Sequence, residues 1–530
     1  MLNDFYGDIQ EIFNKGNFKD LDRLLKELKS RFKDDLEILM ELNLIKSRHN
    51  VLIGNYQKAL NDLDLVVAEA TSLQNDILLF DAYLVRCEAL HFLGKYDIFA
   101  KDINIIERII QNIPKKGLNF LRQKAKLEQL RGRYHTTQGE YNNALEHLFY
   151  SKEIYEEIGL KLGIASTVNL IAGIYWRRGE IKKSLVLLNS AVNIFRQLGN
   201  KKMLSLTLNN LGILNDLVGD YDLAIQNFKL ALNISVKTGD IQNQGNCHGN
   251  LGNTYSNIGE LDLAKKNFLK SLALNKKIKN LHEIAMGLSN LGELASANSY
   301  FKDAIEYFKE SISVFKTISP GPLYIYPLVG IIIALINFNS KSEALNYRGI
   351  LENLYQQHGT FKIQYLNEIT KAYYFKSYGN EKDIIKAKQI FLDFYENTNV
   401  EFDWRIFCAL NYSDTILKNL GESNREKLLK EIKNLMLNVL KLAKSALSFR
   451  AYAQTHIILA QIEILKKDYI LATEYLKKAE FISDEKKLKL LDKIRNYYPN
   501  IDYLKKNYKN DKTILNDLKQ ELKEMILIRN

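Results

Sequence analysis

Proline is nearly missing from this chain, with five in 530 residues. Proline removes a backbone donor and clashes inside a helix, so its scarcity leaves long helices possible throughout. Cysteine is scarcer still. Cys87, Cys247 and Cys408 lie far apart, with no CxxC and no paired spacing. That excludes a disulfide scaffold or a cysteine zinc site and fits a reducing, cytoplasmic compartment. No apolar run reaches the roughly 20 residues that a membrane-spanning helix needs. The longest, YIYPLVGIIIALINF from Tyr324 to Phe338, has 15 and is expected to be a buried helix. The start, MLNDFYGDIQ, has an early acid and no basic-then-apolar run, so no signal peptide is read there. Catalytic signatures are missing as well: no Walker P-loop, no GxSxG, no HExxH and no HxD-type metal cluster. His135, His248, His282 and His358 are isolated from one another in sequence, and each is expected at the surface or in packing. No catalytic residue, metal or cofactor is expected, and the chain reads as a non-enzyme.

What is present is a globular composition, 46% apolar and 26% charged. The chain is too long for one ordinary core, so several domains or a repeat array are expected. The formal charge of +12 is uneven: residues 421–530 hold 23 Lys and Arg against 15 Asp and Glu. A basic end can attract nucleic acid or anionic lipid. A Lys-rich solvated helical surface accounts for the same charge and is the preferred reading.

One spacing organises the rest. Gly139, Gly179, Gly219 and Gly259 are forty residues apart, Ser299 continues the series, and Gly54 and Gly94 form an earlier pair. Self-similarity at such a period marks a solenoid. Seven residues before each anchor stand Ser47, Cys87, Gly132, Ala172, Gly212, Gly252 and Gly292, all small. Five after it stand Ala59, Ala144, Ser184, Ala224, Ala264 and Ala304, with Phe99 the exception. Nine after it come Leu148, Leu188, Phe228, Phe268 and Phe308, and twelve after it Ser151, Ala191, Ala231, Ser271 and Ser311. Small residues let two helices approach, and the large residue fills the space beside them. A second break recurs at Gly159, Gly199, Gly239 and Lys279-Asn280. Each period is therefore helix, turn, helix, turn, with glycine supplying turns that need positive φ.

Leu211-Gly212, Ala224, Phe228 and Ala231, and again Leu251-Gly252, Tyr255, Ala264 and Phe268, resemble the tetratricopeptide repeat. The usual period of that repeat is shorter. The longer one is similar to the subclass in kinesin light chain, the spindle-orientation adaptor LGN/Pins and bacterial Rap-type peptide sensors. The resemblance is specific over about Gly139–Thr317 and weaker on either side. It implies an all-α fold: a right-handed superhelical solenoid of antiparallel helix pairs. The expected segments are 1–138 (N-terminal helix pairs), 139–319 (the well-matched array), 320–483 (degenerate pairs) and 484–530 (basic C-terminal helices). Gly16-Asn17-Phe18 reads as a first turn, Pro320-Gly321-Pro322 as a break, and Gly379 and Gly421 as turns. About eleven helix pairs are expected, then a terminal helix near Thr513–Arg529, after Tyr497-Tyr498-Pro499, that caps the stack.

The resemblance also implies a site. In such solenoids the first helix of each pair lines the concave side. The inward positions place Asn210, Asn250 and Asn290 one repeat apart. Their neighbours are Asn169, Asn209, Asn246, Asn253, Asn257, Asp216 and Glu293, and the earlier repeats add Lys126, Gln129, Arg133, Trp176 and Arg177. A side-chain amide donates and accepts at once. A row of amides therefore suits the backbone of an extended peptide, and amides at these positions do this in the resembling proteins. The same amides could instead tie neighbouring repeats together. Trp176 between arginines could anchor an aromatic or acidic side chain.

The leading expectation is a peptide-binding adaptor or scaffold. A ligand-responsive sensor is the alternative, although residues 1–53 read as repeats where Rap-type sensors carry an effector bundle. A nucleic-acid role through the basic end, with Tyr497, Tyr498, Tyr503 and Tyr508 amid lysines, is a further one.

Overall fold

The structure, a computed structural model, describes residues 9, 18–52, 55–93, 95–114, 117–317, 324–417, 423–445, 447–488, 490, 494–495, 514 and 516–522. Gly16-Asn17, Gly54, Gly94, Pro320-Gly321-Pro322, Gly421, Tyr497-Tyr498-Pro499 and most of the expected terminal helix lie outside these residues. Among the described residues there are 23 helices and no strand.

After α1 (Phe18–Arg31), eleven helix pairs follow. They are α2 (Leu36–Leu52) with α3 (Tyr56–Ser72), α4 (Asp76–Phe92) with α5 (Tyr96–Asn112), and α6 (Leu118–Thr137) with α7 (Tyr141–Glu157). Next come α8 (Lys161–Arg177) with α9 (Ile181–Gln197), α10 (Lys201–Leu217) with α11 (Tyr221–Thr238), and α12 (Ile241–Ile258) with α13 (Leu261–Ile278). Then come α14 (Leu281–Ala297) with α15 (Phe301–Thr317), α16 (Ile325–Asn337) with α17 (Lys341–His358), and α18 (Phe361–Tyr378) with α19 (Glu381–Glu396). The last pairs are α20 (Phe402–Leu417) with α21 (Arg425–Ser445), and α22 (Phe449–Leu465) with α23 (Tyr469–Glu485). The architecture is an all-α solenoid of antiparallel helix pairs. Two compact units divide it: Met1–Asn215 with Asp222–His248, and Asp216–Tyr221 with Gly249–Asn530.

Each helix forms because its apolar residues recur at three and four. In α15 the buried set is Ala304, Ile305, Phe308, Ser311, Ile312 and Phe315, a single stripe. Helix α22 is an exception, buried on every side from Ala453 to Leu465, and so is helix α16, from Pro327 to Ile336. This is the expected buried helix in the 324–338 run. Pro327 sits in its first turn, where a backbone N–H would have no intrahelical acceptor. No helix among the described residues is long and apolar enough to cross a membrane.

The recurring residues meet each other. A Cβ added at Gly212 would lie 2.6 Å from the Phe228 ring, at Gly252 2.5 Å from Phe268, and at Gly292 2.7 Å from Phe308. The residue seven before the turn and the residue nine after it are thus one contact, a large side chain seated on a bare backbone. The other small positions carry hydrogen bonds across close helices. Ser184 Oγ donates to the Ala172 carbonyl at 2.7 Å, and Ser151 and Ser311 donate to the Ala125 and Ala285 carbonyls at 2.8 and 2.7 Å.

Gly179 and Gly219 show why the anchor is glycine. Their φ values are 76° and 72°, in the left-handed region. At Gly179 the chain reverses with two bonds, from the Gly179 N–H to the Trp176 carbonyl and from the Glu180 N–H to the Tyr175 carbonyl, both 2.8 Å. Where the series departs from glycine the conformation persists: Ser299, Asn339 and Lys467 have φ of 61°, 61° and 65°.

Helices α1 to α9, and again α13 to α23, pack on their neighbours in sequence. Further contacts join α2 to α4, α4 to α6 and α6 to α8 in one unit, and α14 to α16, α16 to α18 and α18 to α20 in the other. All of these are first helices of their pairs. First helices therefore line the shorter, inner side of each stack.

Glycine at the packed position and glycine elsewhere in a helix should respond oppositely. Gly252→Ala should destabilise by about 1–3 kcal/mol through overpacking against Phe268. Gly173→Ala, whose added Cβ meets nothing within 4 Å, should stabilise by roughly 0.5–1 kcal/mol through helix propensity. Thermal melts of the two variants check this; melting shifts of the same sign would reject the assigned contact.

Candidate functional site

The inner face is made by first helices, so its side chains come from positions one repeat apart. In the first unit Asp81 on α4 lies between Arg48 on α2 and Lys126 on α6. Its carboxylate is 3.2 Å from Arg48 and 3.3 Å from Lys126. Burial alone would raise the Asp81 carboxyl, but Lys126 and Arg48 outweigh it and hold it below the usual carboxylate range. Lys126 itself is pulled down by burial, against the pull of Asp81. A signal for this triad existed in the sequence. Asp81 stands thirteen before Gly94 as Lys126 stands thirteen before Gly139.

Arg133 on α6 is half-buried and Arg177 on α8 is exposed. Both act on His91 of α4. Burial first, then these two guanidinium groups, pull the His91 imidazole down to about 4. His91, Arg133 and Arg177 thus share a region from three successive first helices, with a positive field. Trp176, next to Arg177, is 39% exposed.

The predicted amides divide into two sets. Gln129 on α6 donates to Thr167 Oγ on α8 at 2.6 Å, so its position is a seam between first helices. Asn169 and Asn209 stand at that same position in the next two repeats. Asn169 is half-buried, its Oδ1 enclosed. Asn209 is buried at 6% exposure, and here the structure corrects the expectation that it lines the groove. One residue is about 100° around a helix, enough to move a side chain from the open face to the seam. Asn210 is exposed. Asn246 is half-buried.

In the second unit Asn257 on α12 donates to Asp216 Oδ2 at 3.1 Å, joining two predicted groove residues to each other. Burial raises the Asp216 carboxyl, opposed by hydrogen bonds from Thr254 and Asn257. Asn253 is exposed, while Asn250, Asn290 and Glu293 are half-buried. The accessible amides are therefore Asn210 and Asn253, with Asn250 and Asn290 part-accessible.

Sequence reasoning missed the contacts that join distant helices. In the first unit Tyr56, at the start of α3, donates to Gln242 Oε1 on α12 at 3.1 Å. Burial pulls the nearby Lys202 ammonium down to about 8 despite Asp240 and Glu88. In the second unit the Phe449 ring lies on Gly219, and Arg450 donates to the Ser256 carbonyl at 2.7 Å. Histidines were also missed as a pair. The His135 and His147 rings stack 5.1 Å apart at 6°, and each Nδ1 meets a carboxylate, Glu140 at 2.7 Å and Glu128 at 2.6 Å. Among the described residues no group of three His, Cys, Asp or Glu side chains is placed to hold a metal. The three cysteines are buried and free, and burial pushes the Cys247 thiol up to about 12.

Comparison with known proteins bears on the repeats. A tetratricopeptide repeat family model matches residues 163–235, and a second one matches residues 246–278. The chain carries tetratricopeptide repeats over these residues. No curated protein matches it. Several solved structures are similar to it. The apo form of the quorum sensor NprR from B. thuringiensis is 15% identical with a TM-score of 0.46, the match covering 68% of this chain and 99% of that one. A Rap protein complexed with competence and sporulation factor is 12% identical with a TM-score of 0.41, covering 82% and 99%. A signal transduction ATPase with numerous domains and a tetratricopeptide repeat sensor, from Pyrococcus horikoshii, is 13% identical with a TM-score of 0.46, covering 64% and 52%.

His91 gives the inner face a pH dependence. An unfolded histidine titrates near 6.5, whereas His91 in the fold titrates near 4. Between these values the unfolded chain binds a proton that the folded chain refuses. Stability should therefore fall as pH drops from about 6.5 towards 4. His91→Gln should remove part of that fall. Melting temperatures at pH 7 and pH 4.5 check it, and equal falls in both proteins would reject the assignment.

Proposed function

We propose that the chain is a non-catalytic scaffold that binds an extended segment of a partner protein along its first helices. The observation that carries this reading is the recurrence of Asn210, Asn250 and Asn290 at forty-residue spacing on first helices, in a stretch matched to tetratricopeptide repeats. An amide every repeat can pair with backbone groups of a chain whatever its side chains. The first unit adds Arg133 and Arg177, which favour a segment carrying an acidic side chain or a terminal carboxylate.

A second reading is a peptide-responsive sensor. It is favoured by the Tyr56–Gln242 bond, which joins helices 186 residues apart. An occupant that changes the spacing of first helices would have to strain or break it. Under that reading Tyr56→Phe raises partner affinity; under a plain scaffold reading affinity stays the same. Titration of the captured partner separates the two.

The groove reading is tested with Asn210→Ala, Asn253→Ala and Asn290→Ala combined. Each substitution at an accessible site should shift stability by less than about 0.5 kcal/mol. Each lost hydrogen bond weakens binding by roughly 0.5–1.5 kcal/mol, so the triple variant should lose about ten- to a thousandfold in affinity. The measurement is a pull-down from native lysate, then titration of the captured partner, beside a thermal melt. A well-folded variant that retains its partner at full affinity rejects the groove.

A further inference from the structure

On the outer side of the first unit Leu65, Leu230 and Val236 are exposed apolar residues, and one further pair stands at facing positions of adjacent second helices. Second helices face outward, and their exposed positions are mostly polar. Ten residues after the anchor the array has Asn189, Lys229, Leu269 and Lys309, but Phe149 on α7. Seven after it the array has Glu146, Gln226, Lys266 and Glu306, but Val186 on α9. Adjacent second helices bring these two positions together, and in this array only Phe149 and Val186 make both members apolar. Phe149 is 42% exposed and Val186 69%. Between them lies a groove of about 420 Å³ whose floor is Val168, Ile171 and Tyr175 of α8 with Leu187 of α9.

Its charges have one sign. Lys152, Lys182 and Lys183 line the groove, and no carboxylate does. Lys152 rests on Glu156 of its own helix at 2.6 Å, and Lys183 on Glu180, the residue just before α9, at 2.5 Å. Such surface pairs are weak and exchange readily with an incoming carboxylate. Lys182 is exposed.

The walls also decide the form of the occupant. They are helices, whose backbone groups are already paired, and the lining offers apolar carbons. An extended strand laid there would bury unpaired N–H and C=O groups. A helix satisfies its own backbone and presents only side chains. Two neighbouring helices with a gap between them accept apolar side chains at three and four spacing.

We propose that the groove between α7 and α9 is a second docking site, which takes an amphipathic helix of a partner protein with acidic residues flanking its apolar stripe. It lies on the opposite helices of each pair from the amide row and does not depend on that reading.

The probe is a capped fourteen-residue helical peptide, with Leu and Phe along one stripe and Glu flanking it, labelled for fluorescence anisotropy. Its counterpart has Lys in place of each Glu. The full-length protein should bind the acidic peptide saturably, at least tenfold more tightly than the basic one, and less tightly as salt rises. Phe149→Glu and Val186→Glu should each reduce binding at least tenfold. Val186→Ser should reduce it severalfold, and serves if the charged variants fail to fold. Lys182→Glu with Lys183→Glu should also weaken it severalfold. The Asn210, Asn253 and Asn290 alanine variant should bind the probe like wild type, so loss of the inner groove leaves this result standing. No saturable binding overturns the proposal. So does equal binding of the two peptides, or binding that survives Val186→Glu. Two further outcomes assign the groove elsewhere and overturn it: Val186-dependent binding to phosphatidylglycerol vesicles without peptide binding, or Val186-dependent self-association in sedimentation without peptide binding.

Discussion

A large side chain seated on a bare glycine backbone is the contact on which the rest of this molecule depends. Phe228 on Gly212, Phe268 on Gly252 and Phe308 on Gly292 fix how closely the two helices of a pair approach. At that separation a serine can reach the facing carbonyl, as Ser311 reaches Ala285 in the pair held by Gly292 and Phe308. The turn must then reverse the chain in very few residues, and left-handed φ at Gly179 and Gly219 does so. Once pairs are fixed, first helices touch first helices from α2 to α8 in one unit and from α14 to α20 in the other, and an inner face exists along each. None of this needs a charged residue. The polar side chains are left to decide what each face does.

The pair contact was legible because it is local and repeated. Gly212 and Phe228 are sixteen residues apart, and the same separation recurs in the next two repeats. The turn at Ser299, which continues the series without a glycine, was legible for the same reason and adopts the same φ. What periodicity cannot report is a contact between different turns of the stack. Tyr56 and Gln242 occupy unrelated repeat positions, as do Phe449 and Gly219. Their meeting depends on small angles summed over several pairs, and no single repeat encodes that sum. His135 and His147 stand at an intermediate level. They face across one hairpin, four before and eight after its turn, so the stack is implied by the frame once the frame is known.

The candidate site was legible to the nearest helix face and not to the residue. A period of forty places Asn209 and Asn210 side by side in sequence, yet one enters a seam and the other meets solvent. Composition at the site was misleading in a related way. Many of its polar groups are engaged with one another: Arg48, Lys126 and Asp81, then Gln129 with Thr167, then Asp216 with Asn257. These bonds hold first helices in register. Repeat tying is seen in these bonds, while Asn210, one residue from the buried Asn209, stays exposed and is left for the proposed partner.

This division has an energetic consequence for any occupant of the inner face. A polar group that displaces an existing bond gains little, because one hydrogen bond replaces another and the net worth of each is about 1 kcal/mol. Asn210 and Asn253, exposed in the free protein, exchange only water. Affinity on this face must then come from several weak, evenly spaced contacts rather than from one anchor, which is what a repeat with a fixed period supplies. The outer groove works the other way. Phe149 and Val186 leave apolar area in contact with water, and covering such area is favourable at roughly 25 cal/mol per Å² without any partner bond being broken. The two proposed sites are thus unlike. As proposed, the inner one takes several evenly spaced contacts along a chain, and the outer one takes a cluster of apolar side chains with a charge beside it.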